Sequence, residues 1–170
     1  MFEKYGEFDS YEEINRAAAA QLAEGDTEAI YAIAEENGID REDAEDYIDG
    51  DAAELVTALM AAQGKLKIET AELQPKEIMA DWLDYIQIQC FEDQEMRLAV
   101  RRKGKSLKEC IGKLVKWSLD HAENVDKDII KAAGLPSWAQ NGCKLGIPGI
   151  GTAKQLIKEY YLGGGENAGV

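Results

Sequence analysis

The chain has 170 residues, 45% of them hydrophobic and 31% charged, so it has the length and apolar content for a packed core and is not globally disordered. No apolar run approaches the roughly 20 residues that span a bilayer, which excludes a membrane-spanning helix. A formal charge of −14 argues against nucleic acid as a partner for the molecule taken as a whole.

That average hides an asymmetry. Residues 1–50 carry 16 acids and 3 bases, residues 51–100 carry 10 and 4, and residues 101–170 carry 7 and 12, giving nets of −13, −6 and +5. The start, MFEKYGEFDS, has neither a basic stretch nor an apolar signal-like core, so a cytoplasmic location is expected.

Ser10-Tyr11-Glu12-Glu13 is a capping box, which predicts a helix with Ile14, Ala18 and Leu22 on one face and a stop near Gly25. Asp26 caps a second helix with Ile30, Ile33 and Ala34 inward, ending at Asn37-Gly38. Asp40 starts a third, with Ala44, Tyr47 and Ile48 together and Gly50 as the break. A fourth, over 51–63, turns Leu55, Val56, Leu59 and Met60 to the core. In 64–76, GKLKIETAELQPK, the apolar period fades and Pro75 intervenes, so a linker or one short extended segment is expected there.

A long helix over 76–101 follows, with Ile78, Met79, Trp82, Leu83, Ile86, Cys90 and Phe91 as its apolar side and Lys103-Gly104-Lys105 as its break. Ser106-Leu107-Lys108-Glu109 is a second capping box and opens a helix to about residue 122. A short helix over 126–133 precedes an irregular stretch holding Trp138 and Asn141-Gly142. The last helix, 152–161, has Thr152 as its cap and Ala153, Leu156, Ile157, Tyr160 and Tyr161 as its stripe. These elements predict an all-α fold in two small helical subdomains: an acidic one over 1–63, the linker 64–76, and a second over 77–162 with a basic helix junction. A loose tail is expected over 163–170.

Three features carry the candidate chemistry. In GIPGIGTAKQ the Gly149–Gly151 turn resembles the phosphate grip of helix-hairpin-helix modules, where free N–H groups at a helix start bind an anion. Gln155 and Lys158, however, occupy places those modules reserve for buried side chains, so a plain helix start is favoured over a grip. Between Arg97 and Lys116, eight bases are opposed by Glu109 alone, and Arg101, Arg102, Lys103 and Lys105 are the candidate nucleic-acid contacts. The third feature is an acidic run over 35–54: Glu35, Glu36, Asp40, Glu42, Asp43, Glu45, Asp46, Asp49, Asp51 and Glu54. Twenty helical residues cover about 30 Å, so acids at this density come near the roughly 3.4 Å phosphate spacing of one DNA strand. Such a surface can act as a solubilising face or occupy a cationic nucleic-acid channel.

Other chemistry finds little support. A calcium loop centred on Gly50 is broken by Tyr47 and Val56. No nucleophile elbow, P-loop, zinc-protease or dinucleotide motif occurs, so no catalytic residues, metal ligands or cofactors are expected. Cys90, Cys110 and Cys143 have neither disulfide-framework nor zinc spacing and are expected reduced and mostly buried. His121, the only histidine, suits a helix C-terminus.

Residues 80–162 resemble the PcfK-like proteins of conjugative elements and phages. The resemblance lies in DWLDYIQIQCFEDQEMRLAV, in KGKSLKECIGKLVKWSLDHAE with its Lys105, Ser106, Leu107 and Cys110 signature, and in GTAKQLIKEYYL with its paired Tyr160 and Tyr161. It implies a small, non-catalytic helical protein in a bacterial host cytoplasm. Some members of that grouping are anti-CRISPR inhibitors of type II RNA-guided nucleases, which suggests such a nuclease, or another cationic nucleic-acid-binding protein, as the partner. Direct DNA contact through the basic junction is the alternative, a homodimer is possible, and no membrane association is expected.

Overall fold

Ser10 opens the first helix. Its hydroxyl accepts from the Glu13 N–H at 3.3 Å, and Glu13 Oε2 accepts in return from the Asp9 N–H at 2.8 Å. The computed structural model describes residues 4–136 and 142–163, and these are mostly helical. Helix α1 (Tyr11–Glu24) ends at Gly25, and α2 (Thr27–Glu36) starts at Asp26, whose Oδ1 accepts from the Ala29 N–H. Helix α3 (Arg41–Asp49) ends at Gly50, which like Gly25 takes the left-handed conformation that favours glycine. Ile14, Ala18, Ile30, Ile33, Ala34, Ala44 and Tyr47 bury together with Leu55 and Val56 in one core cluster.

The next segment departs from the sequence reading. Residues 51–57 form no helix, and α4 runs over Ala58–Leu73, through most of the expected linker and extended segment. Thr57 Oγ1 accepts from the Met60 N–H at 3.2 Å and so provides the cap. The reason the apolar period fades is physical. Met60 and Ala61 face the first cluster, while Leu59, Ala62 and Leu66 face a second, so α4 is packed on two sides and carries no single stripe. The buried residues form two clusters, and α4 contributes to both.

The expected 76–101 helix is two helices, α5 (Ile78–Glu92) and α6 (Gln94–Arg101). Asp93 adopts an extended backbone and its Oδ1 accepts from the Glu95 and Met96 N–H groups, ending one helix and capping the next. The bend lets α6 pack against α4, α5 and the last helix at once. Helix α7 (Leu107–Asp120) starts at Ser106 as predicted, and α8 (Lys127–Ala132) follows. Helix α9 (Ile150–Leu162) closes the second cluster with Ala153, Ile157, Tyr160 and Tyr161. The only strands among the described residues, β1 (Glu123–Asn124) and β2 (Lys144–Leu145), pair antiparallel. Residues 137–141, with Trp138 and Asn141, and the tail from 164 lie outside the described residues.

Two contacts fix the first cluster to the second. At the end of α2, Gly38 meets Gly64 of α4 backbone to backbone: a Cβ on Gly64 would stand 2.1 Å from the Asn37 carbonyl oxygen. Beside it lies a buried polar network. Asn37 Oδ1 accepts from Arg101 Nη2 at 2.8 Å. Lys65 Nζ donates to Glu7 Oε1 at 2.6 Å and to the Arg102 carbonyl at 2.8 Å, and Glu69 Oε2 accepts from the Leu107 N–H at 3.0 Å. Burial raises the Glu69 carboxyl above its ordinary range, partly offset by the Leu107 N–H and by Lys65 and Arg101, while burial lowers the Arg101 guanidinium.

Candidate interaction surface

The acidic run does not form one 30 Å rod. Gly38 and Gly50 divide it among the end of α2, helix α3 and the irregular stretch after it. Within α3 the sequence separates two faces. Ala44 and Tyr47 are buried, whereas Glu42, Glu45, Asp46 and Asp49 point outward at three- and four-residue spacing along about 10 Å of helix. Glu45 pairs with Arg41 at 3.0 Å. Among the described residues, Glu42, Asp46 and Asp49 have no cation within ion-pair distance. The result is a short carboxylate ridge with a firmly packed underside.

The other acids divide by role. Glu35, Asp51 and Glu54 are exposed. Asp40 is exposed and pairs with Lys67 at 2.7 Å. Asp43 is half-buried beside the α3–α4 groove. Glu36 accepts from the Lys4 and Tyr5 N–H groups, so its carboxylate holds down the N-terminal segment and is not a free contact.

The basic junction loses half of its candidate side chains. Arg101 is 2% exposed and belongs to the buried network, contrary to the expectation of a surface contact. Its position on the inner face of α6, beside Val100 and Ala99, explains the burial. Lys105 is half-buried, and its Nζ donates to the Tyr160 carbonyl at 2.6 Å and lies over the Tyr160 ring. Arg102 and Lys103 are exposed. Their backbones are engaged, since the Arg102 carbonyl accepts from Lys65 and the Lys103 N–H donates to Asp9 Oδ1 at 3.0 Å.

The glycine turn is also different from a hairpin grip. What precedes it is strand β2 and not a helix, and α9 begins at Ile150 with Gly149 at the cap position in place of Thr152. Gly149 and Gly151 have open space where a Cβ would stand, so no close approach demands glycine at either. The glycine that is required is Gly146, whose Cβ would come within 2.0 Å of the Ser118 carbonyl oxygen at the end of α7. Sequence reading missed it because the tight contact is with a segment 28 residues away.

The Lys105–Cys110 stretch and the Tyr160–Tyr161 pair meet each other. Tyr160 Oη donates to Glu109 Oε2 at 2.8 Å and accepts from the Ser106 N–H at 2.7 Å. With the Lys105–Tyr160 bond, and with Leu107, Cys110 and Tyr161 in the same core, they form a clasp between α7 and α9. These motifs therefore serve architecture, and the exposed chemistry lies elsewhere.

Cys90 and Cys110 are buried and unpaired, and burial pushes both thiols up to about 12, while Cys143 is half-buried. His121 caps the end of α7, its Nδ1 2.9 Å from the Trp117 carbonyl oxygen and its ring stacked on Trp117. Among the described residues, no three His, Cys, Asp or Glu side chains are grouped to hold a metal ion, and no helix is long and apolar enough to cross a membrane. Compared with protein-family models, with curated proteins and with solved structures, the chain matches none.

Proposed function

We propose that the protein is a non-catalytic inhibitor of a bacterial defence nuclease, of the kind carried by mobile elements, and that it acts by presenting the α3 ridge to a cationic DNA-reading surface. A type II RNA-guided nuclease is the first target. Such an enzyme reads a short duplex motif through arginines and holds nucleic acid in basic channels. The observation that carries the reading is the ridge itself. Glu42, Asp46 and Asp49 face solvent from a helix whose buried side fixes their spacing, and carboxylates pair with arginine through strong, directional, charge-assisted bonds. The N-terminal half, at −13 over its first 50 residues, adds long-range attraction to a basic partner. The resemblance of residues 80–162 to PcfK-like proteins supports the same reading, since that grouping includes inhibitors of this kind.

The test is cleavage of a target duplex by a purified type II effector, with and without this protein. Reversing Glu42, Asp46 and Asp49 to lysine is expected to weaken inhibition at least about tenfold with an unchanged circular dichroism spectrum. Equal inhibition by the triple variant would remove the ridge as the contact, and no inhibition by the native chain would remove the nuclease reading.

A further inference from the structure

Beside the ridge, where the α2–α3 turn lies across α4, are two hollows of about 540 Å³ each. They share Gly38, Ile39, Asp40 and Lys67, so they meet at the exposed Lys67–Asp40 ion pair and form one groove in two halves. The lining is mostly apolar. Ile39 and Met60 lie along one half with Phe91 at its rim, and Ile68 lines the other. Phe91 is 57% exposed in the last turn of α5, whose other aromatics, Trp82 and Tyr85, are buried and half-buried. Asp43 lines the same half as Phe91, with Glu42 of the ridge next to it in sequence and Asp46 one helical turn on.

We propose that this groove docks a basic amphipathic helix of the partner, with apolar side chains on Ile39, Met60 and Phe91 and arginines or lysines on Asp40 and Asp43. This deepens the functional reading above and rests on it for the partner's positive sign. Charge complementarity argues for that occupant. The lining carries Glu35, Asp40 and Asp43 against Arg41 and Lys67, and the unpaired Glu42 and Asp46 stand beside it, so the surroundings favour a cationic helix over an acidic one. The geometry also assigns a role to Lys67. Its ammonium already sits 2.7 Å from Asp40, in the place an incoming guanidinium would take, so it competes with the partner. Grooves of this kind read an amphipathic helix through apolar anchors at helical spacing, and an exposed aromatic at the rim is a suitable anchor surface.

The experiment uses the full chain and a synthetic helix of about 15 residues, with leucines along one face and arginines on its flanks, titrated by calorimetry at about 0.15 M salt. Binding is expected, weakened about tenfold by Phe91→Ala and by replacing the peptide leucines with serine, and tightened about threefold by Lys67→Ala. Three results would overturn the proposal. One is an affinity indifferent to both Phe91→Ala and Lys67→Ala, which would leave only long-range attraction. Another is stronger binding of the same peptide with glutamate in place of arginine. The third is a salt-sensitive dimer of the protein, seen by sedimentation and lost in Phe91→Ala, which would make a second copy the occupant. The nuclease plays no part in this titration, so its result separates from that of the cleavage assay. Peptide binding without nuclease inhibition would leave the groove standing and remove the target.

Discussion

Tyr160 and Tyr161 are adjacent and chemically identical, yet their hydroxyls meet opposite environments. The Tyr160 hydroxyl bridges Ser106 and Glu109, and burial together with the Glu109 carboxylate raises its pKa. Tyr161 is 1% exposed, and its hydroxyl has no hydrogen-bond partner among the described residues. A buried hydroxyl without a partner loses its hydration and gains nothing in return. Tyr161→Phe is therefore expected to leave stability unchanged or raise it by up to about 1 kcal/mol, and Tyr160→Phe to lower it by about 1–2 kcal/mol. Urea unfolding midpoints of the two variants decide the point, and equal losses would show that Tyr161 does have a partner. Helical spacing placed both rings inward correctly. It carried no information on their hydroxyls, because Ser106 and Glu109 lie more than 50 residues away in sequence. The same limit hid Arg101, whose charge marked it as a surface residue while its helix face marked it as buried.

Among the helices, α4 is where local pattern misled most. A helix covered on one side shows a stripe, and α1, α2, α7 and α9 were legible for that reason, together with the caps at Ser10, Asp26 and Ser106. A helix covered on two sides spreads its apolar residues around the axis, and α4 further buries the charged Lys65 and Glu69 within the expected linker. Its glycine makes the packing testable. Gly64 faces the Asn37 carbonyl at a distance no Cβ tolerates, whereas Gly112 in α7 has open space around it. Gly112→Ala is expected to stabilise the protein by about 0.5–1 kcal/mol through helix propensity alone. Gly64→Ala gains the same propensity but must push α2 off α4, for a net loss of about 2–4 kcal/mol. Thermal melts of the two variants should move in opposite directions. A melt raised by Gly64→Ala would mean that α2 and α4 are not in backbone contact.

At the scale of the molecule, the fading apolar period and Pro75 over 64–76 suggested two helical subdomains joined by a linker, and the helix that fills most of that segment changes what the charge asymmetry means. The acidic half is fixed to the basic half by the Gly38–Gly64 contact and by Glu7, Asn37, Lys65, Glu69 and Arg101, which leaves the ridge and groove on a rigid support. Removing any one member of a buried charged network exposes the others to an uncompensated desolvation cost, so neither half keeps its native surroundings once the other unfolds. Unfolding is then expected to be a single transition. The tryptophans provide a one-sided probe: Trp82, Trp117 and Trp138 all belong to the C-terminal half, while far-ultraviolet dichroism sums the helices of both. In a urea titration the fluorescence and dichroism curves should coincide, with one midpoint and one slope. Two independent bodies would give a dichroism loss that begins before or after the fluorescence change. The outcome also bears on function, because a ridge whose order depends on the whole molecule can be disabled by a core substitution far from α3. Only ridge variants that retain the single native transition therefore report on the contact with the partner.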